Sequence, residues 1–176
     1  MRIGHINLVE VVDDAAGHFV SLVEALQATG VEQHVLVRNE SLATRIAAID
    51  GVEVGPVVQA PVMAYCLLPR VHVAHVHEPA AGQAGLLLAL TRSIPYVLTH
   101  RGPVGSGRNP LTRSIYRRAS LVICQDDSEL AILNHWLPGL AVDIVPELDR
   151  ERSAALHLWA YQNCQRTPMA GSNGSQ

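Results

Sequence analysis

Three histidines fall within six residues, His72, His75 and His77, and Glu78 follows them. In a strand, His75 and His77 point to one face. Imidazole and carboxylate donors at that density, with His100 further along, could ligate a metal. Their spacing matches no zinc signature, so the simpler assignment packs His75 in the core and lets His77 line a ligand edge. No metal is expected. A second group is His100-Arg101, which opens a stretch with three glycines running to Asn109. A histidine at the mouth of a cleft can donate to a hydroxyl or a phosphate, or move a proton. Arg101 and Arg108 can grip a phosphate through two N–H groups each. A third group is Ala16-Gly17-His18, at the start of a helical pattern, where free N–H groups and the helix dipole favour an anion. Neither a GxGxxG nor a Walker A pattern is present, which disfavours a dinucleotide and a P-loop. For the second and third groups a solvated loop and a turn glycine are the plain alternatives.

These residues need elements to hold them. Continuous apolar runs at 2–12, 32–38, 52–54, 71–76, 96–99, 121–125 and 142–145 read as strands buried on both faces. Helical spacing fills 18–29, 41–50, 80–92, 111–118, 128–136 and 151–162, with Gly30 as a C-cap and Ser41 as an N-cap. Asn109-Pro110 starts a helix with Asn as the cap and Pro at its first position. The stretch 55–69 holds three prolines and an apolar set that suits a short amphipathic helix. Strands alternating with helices imply right-handed βαβ units. The expected fold is α/β, a single Rossmann-like three-layer domain with a mostly parallel seven-stranded sheet in the order 3-2-1-4-5-6-7. The expected domain spans 1–163, with 164–176 as a disordered tail. In such sheets ligands sit outside the carboxyl ends of the strands. All three groups of candidate residues fall on that edge.

Charge divides the chain. Its 13 basic residues are all Arg, and between Pro79 and Gln125 six Arg meet no acid. The flanking stretches are acidic, so the net charge of −3 conceals a basic middle. A single-signed stretch suits an anionic partner as well as a solvated face. Arg113, Arg117 and Arg118 give a short basic helix that could rest on an anionic membrane surface. Nothing global suggests nucleic acid. Three well-separated cysteines (Cys66, Cys124, Cys164) support neither a disulfide framework nor a zinc ribbon. The most apolar stretch, 80–90, is far shorter than the roughly 20 residues a bilayer span needs. The chain opens on a strand rather than a leader, and the expected location is cytoplasmic, with peripheral contact at the inner membrane face as an option.

Four stretches in order resemble the N-terminal, acceptor-side domain of GT-B glycosyltransferases, family 4 in particular. They are Asp14-Ala15-Ala16-Gly17-His18-Phe19, Val73-Ala74-His75-Val76-His77-Glu78-Pro79, Ile94 through Gly102 (IPYVLTHRG), and Arg118 through Ser128 (RASLVICQDDS). The likeness covers about residues 1–150. It implies that Ala16, Gly17 and His18 face the donor phosphates, with Ala16 standing where the family has a glycine. It also implies that His100 lies by the transferred sugar as the catalytic residue. His77, Glu78, Arg101 and Arg108 are then expected at the acceptor, and Arg113, Arg117 and Arg118 on a basic surface. The partners implied are a nucleotide sugar as co-substrate, a glycan or lipid-linked acceptor, and no other cofactor. The family's donor-binding second domain has no counterpart in this length, so transfer is expected only with a donor domain or partner chain. The apolar surface that would meet that domain is expected to be covered by such a partner or by a second copy. Two other readings stay open: a non-catalytic binding module derived from such an enzyme, and a metal- or nucleotide-binding protein of another kind.

Overall fold

The strands form in the apolar runs, and each pairs in parallel with its neighbours. The computed structural model describes residues 1–10, 14–101, 109–145 and 150–166. The strands are β1 (Arg2–Asn7), β2 (Glu32–Val37), β3 (Val52–Val54), β4 (Val73–Val76), β5 (Tyr96–Thr99), β6 (Leu121–Cys124) and β7 (Val142–Ile144). They make one seven-stranded sheet, ordered β3-β2-β1-β4-β5-β6-β7, with every pairing parallel. The helices are α1 (Asp14–Gln27), α2 (Glu40–Ala47), α3 (Pro61–Leu67), α4 (Gly82–Arg92), α5 (Pro110–Arg118), α6 (Asp127–Trp136) and α7 (Arg150–Arg166). A single 3₁₀ turn, Pro79–Ala81, leads into α4.

Period-two alternation divides the sheet between two helical layers. Ile6, Ala74, Val76, Tyr96, Leu98, Val122 and Cys124 pack on α3, α4, α5 and α6. Ile3, Val73, Val97 and Ile123 face the other way and meet Leu22 and Leu26 of α1 and Ala154, Ala160 and Tyr161 of α7. Val35 and Val37 complete that layer against α1 and α2. Although α7 follows the edge strand β7, it packs on β4, β5 and α1 near the middle of the sheet. That return path decides what lies beneath the cleft.

Several local boundaries differ from the sequence expectations. β1 ends at Asn7 rather than Val12, because Leu8 N–H leaves the ladder and donates to the Glu78 carboxylate. α1 begins at Asp14, so Ala16 and Gly17 stand in its first turn and not in a preceding loop. The cap of α2 is Asn39 rather than Ser41. Its extended backbone lets Oδ1 accept from the N–H groups of Ser41 and Leu42 at 2.9 and 3.2 Å. The Asn109 cap behaves as expected, with Oδ1 2.7 Å from Thr112 N. The 61–67 segment of the proline-rich stretch is helical, entered at Pro61. Of the expected tail 164–176, residues 164–166 instead continue α7, with Cys164 buried, and 167–176 lie outside the described residues.

Candidate functional site at the carboxyl edge of the sheet

A cleft of about 60 Å³ opens at the carboxyl ends of the strands. Its polar lining comes from His18 and Ser21 of α1, His77 after β4, Thr99 and Arg101 at the end of β5, Gln125 after β6, and Ser153 and His157 of α7. Among the described residues, one arginine and three histidines line it, and no carboxylate. Such a lining suits an anion or a hydroxyl-rich ligand.

Each expected site residue has a definite place. Ala16 is fully buried, so its methyl group points into the core of α1 and away from the cleft. Gly17 is partly exposed, and a Cβ there would meet nothing within 4 Å. His18 is exposed and lines the cleft. His77 is buried at the cleft floor. Glu78 is half-buried and accepts from Leu8 N–H, which ties the end of β4 to the end of β1. Burial pushes its carboxyl up. Arg101 is half-buried at the rim, and its charge depresses the histidines near it. Arg113, Arg117 and Arg118 are exposed on α5, in the opposite helical layer. Arg108 lies outside the described residues.

His100 is placed differently from His77. Successive residues of a strand point to opposite faces, and Thr99 faces the cleft while His100 turns toward α5. It is fully buried there, with Nδ1 2.6 Å from the Tyr116 hydroxyl. Burial raises the Tyr116 hydroxyl well above its ordinary range, with Glu129 adding to the effect, so the phenol stays protonated and can donate to His100.

Beneath the cleft runs a polar cluster that the sequence reading only half contains. His5 and His75 are paired across β1 and β4 and are both fully buried. His5 Nδ1 lies 3.0 Å from His77 Nε2, and His5 Nε2 lies 3.1 Å from Gln33 Oε1. The amide of Gln33 donates to Val23 O at 2.9 Å, which fixes its orientation. His75 bonds the Tyr161 hydroxyl through Nδ1 at 2.6 Å and the Thr99 hydroxyl through Nε2 at 2.7 Å. The rings of His75 and His77 stack with centroids 3.8 Å apart, and His157 stands 5.4 Å from His75. Burial removes the charged form of all four histidines. His5 is brought down to about 3 and His157 to about 4, while His75 and His77 fall well below the ordinary value. His5, Gln33, Thr99, His157 and Tyr161 were absent from the sequence candidates. A signal existed for one pair, since His157 and Tyr161 are four apart on a helix and so share a face. For His5 the only signal was an imidazole inside a strand otherwise fit for the core.

No protein-family model matches the chain, and no curated protein does. Among solved structures, sucrose-phosphate synthase from Thermosynechococcus elongatus superposes with a TM-score of 0.64 at 16% identity, over 93% of this chain and 98% of that one. The two share a fold. The architecture is that of a Rossmann-like domain of the GT-B kind. The kitacinnamycin glycotransferase (TM-score 0.42, 16% identity, 88% of this chain and 44% of that one) and a dodecameric FMN-dependent UbiX-like decarboxylase from Escherichia coli O157:H7 (TM-score 0.43, 12% identity, 100% of both chains) are fainter likenesses and support no further statement.

Proposed function

We propose that this domain forms the acceptor-side wall of a glycosyltransferase site of the family 4 type. One observation carries the proposal. The four stretches that resemble that family each send at least one residue to the same cleft: His18 from the first, His77 from the second, Thr99 and Arg101 from the third, and Gln125 from the fourth. The topology of a parallel sheet brings such strand ends to the carboxyl edge, where these sheets bind ligands; the structure adds that all four stretches line one cleft there.

In this reading the open surface over Gly17 and the N–H groups of the first turn of α1 face the donor phosphates. Arg101, with Arg108 beyond it, draws in an anionic glycan or a lipid-linked acceptor. Glu78 holds the strand ends that set the cleft floor. His100, which the family resemblance sets by the transferred sugar, is braced by Tyr116 at the end of β5. Arg113, Arg117 and Arg118 supply a basic face suited to an anionic membrane surface. The donor nucleotide is held by a second domain, carried on whatever polypeptide supplies it. The chemistry required is displacement of a nucleoside diphosphate from the anomeric carbon by an acceptor hydroxyl, whose proton must be taken up.

The direct test is a transfer assay with nucleotide sugars and short anionic glycans, run with and without a donor-binding domain. Transfer that depends on both components supports the proposal. Failure to bind any glycan, nucleotide sugar or donor domain refutes it. The non-catalytic reading predicts glycan binding without transfer in every combination.

A further inference from the structure

Under the cleft, three imidazoles converge on one point. One ring nitrogen from each of His5, His75 and His77 lies within 4.8 Å of the others, and all three residues are buried. The three come from β1 and the end of β4, neighbouring strands in the middle of the sheet. We propose that His5, His75 and His77 form a binding site for a divalent transition metal of the zinc class.

The surroundings prepare the donors for that role. Gln33 is oriented by Val23 O, so its Oε1 accepts from His5 Nε2–H. That fixes the tautomer of His5 and leaves the Nδ1 lone pair facing His77 Nε2, 3.0 Å away. Outer partners that set a ligand's tautomer in this manner are a regular part of histidine metal sites. His75 is held between the hydroxyls of Tyr161 and Thr99, and gives up one of these bonds to ligate. Metal binding needs neutral imidazoles, and burial keeps them neutral. The proton shared between His5 and His77 moves to the other nitrogen of His77, so no net proton is released.

Three histidines leave a fourth position open, the arrangement of reactive rather than structural zinc sites. His77 also lines the cleft, which supplies an entry path and a source for the fourth ligand. Among the described residues no carboxylate lies in the cluster, and Arg101 lies close by. A dication in that setting selects an anionic fourth ligand, hydroxide or a phosphate oxygen from the cleft. All-imidazole donor sets suit zinc, copper, nickel and iron and exclude magnesium and calcium.

The test uses the full chain, stripped with a chelator and then titrated with Zn²⁺ and, for spectroscopy, Co²⁺. One equivalent is expected to bind, with intense four-coordinate cobalt bands and a raised thermal midpoint. His77→Phe, which keeps a ring between Phe19 and His75, is expected to abolish those bands. Gln33→Leu removes the outer partner only and is expected to weaken affinity about 10–100-fold. Circular dichroism establishes that each variant is folded. If His77→Phe does not fold, the wild-type cobalt spectrum and the Gln33→Leu affinity decide. Absence of stoichiometric binding by the folded wild type overturns the proposal. So does weak six-coordinate cobalt absorption, or binding unchanged in His77→Phe, since either places the metal on exposed His18, His72 or His135. Glycan binding is measured separately, so loss of the metal site and loss of the transferase reading are distinguishable.

Discussion

Among the described residues lining the cleft, Arg101 holds the one permanent charge. A hydrogen bond to a charged group contributes roughly 1.5–3 kcal/mol where its partner is present. If the cleft takes an anionic glycan, Arg101→Ala weakens that binding by about 10–100-fold in calorimetry. A neutral glycan of the same length is expected to lose little. Arg101→Lys restores part of the loss, because an ammonium supplies the charge without the planar fork. Equal losses for charged and neutral glycans would remove Arg101 from acceptor recognition. His100 requires a different test, since its side chain points away from the cleft. Tyr116→Phe removes the 2.6 Å hydroxyl contact and leaves the ring packed on Trp136. If His100 serves the transferase site, this change lowers glycan or donor affinity while His77→Phe loses metal binding, and the two effects are independent.

At the scale of elements, α4 and β5 approach closely in the helical layer opposite the cleft. A Cβ at Gly85 would lie 2.6 Å from Tyr96 Cδ2. The Tyr96 ring cannot yield, because it is fully buried and its hydroxyl donates to Ile115 O on α5. Gly85→Ala therefore overpacks the α4–β5–α5 contact and is expected to cost about 1–3 kcal/mol in denaturant unfolding. The same substitution at Gly17, where the space is open, is expected to leave stability within about 0.5 kcal/mol. An equal cost at both sites would mean that the α4–β5 contact relaxes freely. Much at this scale was legible in the chain. Apolar runs marked the strands, alternation placed His75 and His77 on one face, and Asn109-Pro110 announced α5. The first turn of α1 was harder to place, because Ala and Gly fit a turn and a helix start alike. The expected strand order already set β1 beside β4, and the structure has that order; what was not legible is the register, which pairs His5 with His75 across some seventy residues and so brings His5 to His77. Nor was the position of α7, whose pattern of apolar residues says that it packs but not that it crosses back from β7 to the centre.

That return of α7 closes a cavity of neutral imidazoles, and it couples the stability of the whole molecule to pH. His157 is brought down to about 4 and His5 to about 3, with burial as the leading cause in both. His75 and His77 are lowered for the same reason. Unfolded, each of these histidines binds a proton near pH 6.5. Between that value and the folded ones, the unfolded chain binds more protons than the native protein, so stability rises with pH there. The contribution is fully present above about pH 6.5 and is lost as pH falls toward 4 and 3. Each buried histidine adds a slope of roughly 1.4 kcal/mol per pH unit once its unfolded form is protonated. Ordinary carboxylates remain ionised between pH 6.5 and 5, so this window isolates the histidines. Glu78, raised by burial, acts with the opposite sign and steadies the protein slightly in acid. Urea unfolding in chelator is expected to show stability falling steeply from pH 6.5 to 5. His157→Phe, which fills the same space against α1 and β4 without a titrating group, is expected to make the decline shallower. A flat profile across that window would mean that the cluster takes up protons while still folded, with water admitted through the cleft beside His77.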